Sequence, residues 1–251
     1  MRKDKKLRIV AIIALTISVL GLTLGFAAFS NTLTISSSAT VTPDASDFKL
    51  MAYGLEDVSG DILSIAFEPS SYTSSTFSKP YLRNAAVAEN AKIESSNVNG
   101  SNSVVISNLN PVLKNPGDSA TYYFMVKNEG QYDAYLANQN LKVASPSKVC
   151  EPVVKEGQET ATDALVQEAC KDILFNVKVS DVFQNQSFDI STFGNNDLLL
   201  TKFDGNDEYS SAIVVEVGIA YRNNSQRRAD GEFMVKLPDV SMEFSTVPIL
   251  Q

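Results

Sequence analysis

Between Leu33 and Val41 the chain alternates. Leu33, Ile35, Ala39 and Val41 are apolar, and Thr34, Ser36, Ser38 and Thr40 between them are polar. Successive side chains of a strand point to opposite faces, so a period of two predicts a half-buried strand. The pattern recurs at Ala120, Tyr122, Phe124 and Val126, and again at Ile173, Phe175, Val177 and Val179. It is longest at Ile213, Val215, Val217, Ile219 and Tyr221. Shorter strands are expected over Phe48–Tyr53, Ile62–Phe67, Ala85–Ile93, Val104–Ser107, Leu198–Phe203, Glu232–Leu237 and Val240–Phe244. Turns rich in Gly, Asn, Asp and Pro separate them. About ten strands with no βαβ rhythm predict an all-β fold, an antiparallel sandwich of jelly-roll or Greek-key type.

One helix interrupts this pattern. Leu165, Val166, Ala169 and Cys170 share a helical face, and Thr160-Ala161-Thr162-Asp163 has the form of a capping box. Thr160 is then the expected N-cap and Asp163 its N3 partner. The helix lies between the only two cysteines, Cys150 and Cys170. An even cysteine count outside the cytosol predicts one disulfide. It would close a loop of about 20 residues, worth roughly 3 kcal/mol in the chain-entropy picture. The segment of about 145–172 thus reads as a Cys-bounded helical insertion on the sandwich.

The N-terminus has a different pattern. Arg2, Lys3, Lys5, Lys6 and Arg8 surround a single Asp4, and 9–29 carries no charge. A basic flank before an apolar helix is the layout of an export signal. The apolar run is about 20 residues, longer than the usual core of a cleaved signal and long enough to span a bilayer. Two readings follow. Small residues at Ala27 and Ala28 offer a cleavage site, making 1–28 a signal peptide and 29–251 a single exported domain. Alternatively the segment is a retained signal anchor.

Composition narrows the function. The 251 residues include no histidine and no tryptophan. Without histidine there is no Ser-His-Asp or Cys-His catalysis and no His-ligated zinc. The 29 carboxylates are scattered, and none stands in a setting that marks an acid–base pair. The net charge is −8, and the sole adjacent basic pair past the N-terminal signal segment is Arg227-Arg228, so nucleic acid is not an expected partner. No enzymatic activity and no cofactor are expected. For a metal, the best placed residues are Asp204, Asn206, Asp207 and Glu208, a loop able to offer Ca²⁺ several oxygens. The EF-hand spacing fails there, and an acidic turn between strands accounts for it as well. Asn99, Asn185 and Asn223 head short N-x-S patterns of low information.

The most patterned stretch is Pro116–Leu136, PGDSATYYFMVKNEGQYDAYL. Turns at Asn115–Asp118 and Asn128–Gly130 bracket a core strand, with Asn and Gly expected to supply positive φ. Together with GFAAFSN at the end of the apolar run, this stretch resembles the TasA and camelysin family of Gram-positive bacteria. The resemblance implies a secreted jelly-roll subunit of extracellular matrix or cell-surface fibres, whose signal is removed by a specialised signal peptidase. It also implies that residues just after the cut act as a donor strand filling a groove in the next subunit. Here that strand is about Ala28–Val41, with Phe29, Leu33, Ile35, Ala39 and Val41 as the pocket-filling residues. Partners would be other copies of the chain or related matrix subunits, with the membrane touched only through the uncleaved N-terminus. Camelysin has been described as a metallopeptidase, but with no histidine and no HExxH that activity is not carried over. The competing reading is a membrane-tethered surface binding module that does not polymerise.

Overall fold

The computed structural model of the protein describes residues 48–56, 76–98, 101–145, 148–157, 159–182, 186–189, 198–203, 205 and 211–246, with the backbone alone at 97–98, 101, 137–140 and 186–189. All of these lie in one compact unit, Thr42–Gln251. They are mostly β-sheet with a single short helix. In chain order the elements are β1 (Leu50–Gly54), β2 (Phe77–Ser78), β3 (Tyr81–Arg83), β4 (Ala86–Val87), β5 (Ala91–Val98), β6 (Ser101–Ser107) and β7 (Pro111–Leu113). Then come β8 (Ser119–Asn128), β9 (Ala134–Val143), β10 (Val149–Pro152), α1 (Asp163–Cys170) and β11 (Ile173–Asp181). Last are β12 (Gln186–Asp189), β13 (Leu198–Leu200), β14 (Ala212–Tyr221), β15 (Phe233–Lys236) and β16 (Val240–Ser245).

Three antiparallel sheets surround one core. The first runs β1-β8-β14-β11-β12, with β3 also on β8. The second runs β13-β9-β16-β6-β5-β2, and the third, of four strands, β10-β15-β7-β4. Alternation decides which side chains meet. Ala120, Tyr122, Phe124 and Val126 face inward from β8, and Val215, Val217 and Ile219 face inward from β14. They pack with Ile93, Ile106, Met242 and Phe244 of the second sheet and with Leu113, Phe233 and Val235 of the third. The result is a sandwich-like all-β fold. In this core the Tyr221 and Phe233 rings meet edge to face, centroids 5.7 Å apart.

Tyr122 carries a cost in this core. Its side chain is fully buried and its hydroxyl has no hydrogen-bond partner among the described residues. Burial pushes the phenol far above its ordinary pKa. Tyr122→Phe is therefore expected to leave stability unchanged or raise it by about 1 kcal/mol. The urea midpoint reads this, and a loss of about 2 kcal/mol or more would contradict it.

The structure revises several sequence expectations. The N-cap of α1 is Thr162, not Thr160, and it makes no side-chain cap bond. Its hydroxyl instead donates to Asp230 Oδ2 at 2.6 Å, and its N–H to Asp230 Oδ1 at 2.7 Å. A carboxylate from a distant loop has displaced the local capping box. Leu165 is 41% exposed, leaving Val166, Ala169 and Cys170 as the buried face. The Cys-bounded segment is woven into the domain, because β10 pairs with β15 and α1 contributes to the shared core. Gly117 has the expected positive φ of 98°, whereas neither Asn128 nor Gly130 does. Asn128 works through its side chain. Its Nδ2 donates to Tyr132 O and Leu200 O at 2.9 Å and to Thr201 O at 3.1 Å, and its Oδ1 accepts from Gly130 N. It ties the ends of β8, β9 and β13 together.

Candidate functional site

Three features of the fold bear on function. The first is the edge of the first sheet. β1 pairs with the second half of β8, Leu50 opposite Asn128 through Gly54 opposite Phe124. β3 pairs with the first half, Tyr81 opposite Thr121 through Arg83 opposite Ser119. The two short strands lie end to end along one long strand. At the joint the Ser78 hydroxyl donates to Leu55 O at 3.1 Å and accepts from Tyr123 N at 3.3 Å. A buried hydroxyl thus serves two backbone groups where the ladder is interrupted. Tyr81, Leu82 and Arg83 all have exposed side chains. The opposite edge of this sheet is β12.

The second feature is a cleft where β8, β11 and β14 end. It has a volume of about 350 Å³, and Arg83, Ser119, Leu174, Ala220, Arg222 and Asn223 are among the residues lining it. One wall is the turn before β8, where Asp118 Oδ2 accepts from Lys114 N and Asn115 N at 2.8 and 2.7 Å. A Cβ on Gly117 would lie 2.7 Å from Asn223 Oδ1, so glycine lets the loop after β14 lean on this turn.

The third feature is a polar network that fastens that loop to α1. Asp172 is buried. Its Oδ2 accepts from Ser225 Oγ at 2.6 Å and its Oδ1 from Arg227 Nη1 at 3.0 Å. Arg227 also approaches Glu168 at 3.5 Å, and the Tyr221 hydroxyl donates to Arg227 O. The disulfide Cys150–Cys170 ties β10 to the end of α1 two residues before Asp172, with Cα atoms 5.9 Å apart. The Ser225 hydroxyl, helped by Arg227 and Arg222, holds the Asp172 carboxyl below its ordinary value. Thr162 does the same for Asp230 through its hydroxyl and then its N–H. Lys148, whose Nζ donates to Ile173 O, is held low by burial, against the opposing pull of Asp172.

This network predicts acid sensitivity of a definite sign. Both aspartates have folded-state pKa values below the ordinary 3.8, so their stabilisation is complete above that pH. It is lost as pH falls through the lower folded values. Melting temperature should therefore drop below about pH 4, and Asp172→Asn should flatten the drop. A variant with the wild-type acid profile would contradict the assignment.

Of the residues singled out by sequence, the structure joins Cys150 and Cys170 as expected. Ala27, Ala28, Phe29, Leu33, Ile35, Ala39 and Val41 lie outside the described residues, as do Asp204, Asn206, Asp207 and Glu208. Among the described residues no group of three His, Cys, Asp or Glu side chains is placed to hold a metal ion. Among them, too, no helix is long and apolar enough to cross a membrane. Arg227 of the basic pair is committed to Asp172 and Glu168. Asn99 and Asn185 lie outside the described residues, Asn223 is exposed, and Ser225 is buried on Asp172. The cleft itself drew no attention in the sequence, since Arg83, Ser119, Leu174 and Arg222 come from four separate elements. No family model, curated protein or solved structure matches the chain.

Proposed function

We propose that the protein is an exported structural subunit of extracellular or cell-surface fibres. In this reading the domain is a jelly-roll-like sandwich, and the segment Ala28–Val41 of one copy adds as a strand to the next. The reading rests on an alternating N-terminal segment together with a first sheet that, among the described residues, has end strands rather than a closed ring. The first sheet ends in β1 and β3 on one side and β12 on the other, without closing on itself among the described residues. An open edge presents N–H and C=O groups that an added strand satisfies, while alternate side chains enter pockets. A head-to-tail contact of this kind does not close, so it grows a filament. The disulfide fits an oxidising compartment outside the cytosol.

Deleting Ala28–Val41 from the exported protein is expected to abolish filaments seen by electron microscopy while leaving the melting transition in place. Filaments of normal length from the truncated protein would overturn strand addition. The cleft at Arg83 and Arg222 favours a second reading, a surface binding module tethered by 1–29. Mass spectrometry of the exported chain separates the two. An N-terminus near Ala28 supports the fibre, and an intact Met1 supports the tether.

A further inference from the structure

The outer face of the first sheet changes character along its strands. Around Met125, Val214 and Ala212 it is buried, with Tyr53 and Tyr123 at the border. Towards the other end it opens. There the register sets Arg83, Ser119, Ala220 and Leu174 in one row across four strands, and Tyr81, Thr121, Gly218 and Asn176 in the next. The two central strands contribute only small side chains. A Cβ on Gly218 would meet nothing within 4 Å, so the space above it is empty. The rims are tall and exposed, with Tyr81 46% and Leu174 49% accessible. Small residues between tall ones make a trough along β8 and β14. Three strand spacings put its rims about 14 Å apart. At the strand ends it runs into the 350 Å³ cleft under Arg222, Asn223 and Asn224.

Charge marks the cleft at the end of this trough, while one row further along the same face β14 carries Glu216, opposite Tyr123 and Lys178. The chain carries a net −8, yet two guanidiniums and no carboxylate line the cleft. Among the described residues, neither Arg83 nor Arg222 forms an ion pair. Arg222 is near enough to Asp172 to help hold its carboxyl low, but that carboxylate is already taken by Ser225 and Arg227. Two unpaired arginines on one concave surface favour an anion, and the planar fork of each matches a carboxylate. The remaining groups suit a hydroxyl-rich body. Asn223, Asn224 and Ser119 both donate and accept, as does Thr121 beside them. The Tyr81 ring and the Leu174 side chain give apolar surface for the C–H face of a sugar ring.

We propose that this cleft binds acidic sugar units of an anionic polysaccharide, with a carboxylate drawn between Arg83 and Arg222. The site does not depend on the fibre reading, and it gives the domain a means of holding a polyanionic matrix whether it polymerises or stands on a tether. Isothermal titration of the exported protein with tri-galacturonic acid, maltotriose and inorganic phosphate tests it. Tri-galacturonic acid is expected to bind, more weakly as salt rises. Arg83→Ala and Arg222→Ala should each weaken it about tenfold. Both side chains are exposed, so Arg83→Ala should melt with the wild type, and Arg222→Ala should lose only the small share that Arg222 adds to holding Asp172, leaving both variants folded. Maltotriose and phosphate should bind far more weakly than the acidic trimer. Equal binding of maltotriose would remove the role of charge, and equal binding of phosphate would remove that of the sugar. Undiminished binding in both arginine variants, or no binding of tri-galacturonic acid, would overturn the site.

Discussion

Gly54→Ala is expected to destabilise the domain by about 3 kcal/mol or more. Gly54 ends β1 opposite Phe124, and a Cβ there would sit 1.8 Å from the carbonyl oxygen of Phe77. It would also lie 2.1 Å from Phe77 C and 2.6 Å from Ser78 N. All three neighbours are backbone, so no side-chain rotation relieves the clash. The Phe77–Ser78 segment would have to retreat, taking with it the Ser78 hydroxyl that joins Leu55 O to Tyr123 N. One buried and one part-buried backbone group would then lose their partner, adding to the steric cost. Gly218→Ala is the natural control, since its Cβ enters open space and removes the conformational cost of a strand glycine. Urea unfolding of the two variants should move in opposite directions. Wild-type stability in Gly54→Ala would show that the backbone approach at this joint is not needed.

Removing the disulfide should cost about as much. The bond spans a sequence separation of 20, for which chain entropy gives about 3 kcal/mol. In a domain of this size that lowers the melting temperature by roughly 6–12 °C. Cys150 is 1% and Cys170 8% exposed, so serines placed there would bury two hydroxyls and lose further stability. What remains between α1 and β10 is a hydrogen bond from Gln167 Nε2 to Cys150 O at 2.8 Å, together with the packing of Val166 and Ala169. The double variant Cys150→Ser, Cys170→Ser should therefore stay folded but be cut first in the loop between β10 and α1 in limited proteolysis. An unchanged melting temperature would contradict the stapling role.

The elements legible in the sequence are those where burial obeys a simple period. β8, β11 and β14 are long and have one face in the core, and their inward residues are those the alternation picked out. β9 was missed for a physical reason. Met242 opposes Leu141 while Phe244 opposes Leu136, so a bulge within β9 breaks the period around Asn138-Gln139-Asn140. Of the third sheet, β4 and β15 fall within the expected strands Ala85–Ile93 and Glu232–Leu237, whereas β7 and β10, three and four residues long, are too short to show any period. The cap of α1 was misplaced because its partner, Asp230, is 68 positions away in the chain. Cysteine parity gave the disulfide directly. The cleft, by contrast, is assembled by strand register from residues that are unremarkable singly. Its one local trace is Arg222-Asn223-Asn224, a polar run following the longest alternating strand.

The fibre reading turns on whether the domain accepts its own N-terminal strand from another molecule. The direct measurement is calorimetric titration of the domain lacking Ala28–Val41 with a synthetic peptide of that sequence. Strand addition predicts one peptide bound per domain, a raised melting temperature, and loss of binding when Leu33 and Ile35 in the peptide are replaced by lysine. A peptide that does not bind, or binds equally well with both lysines, would contradict it.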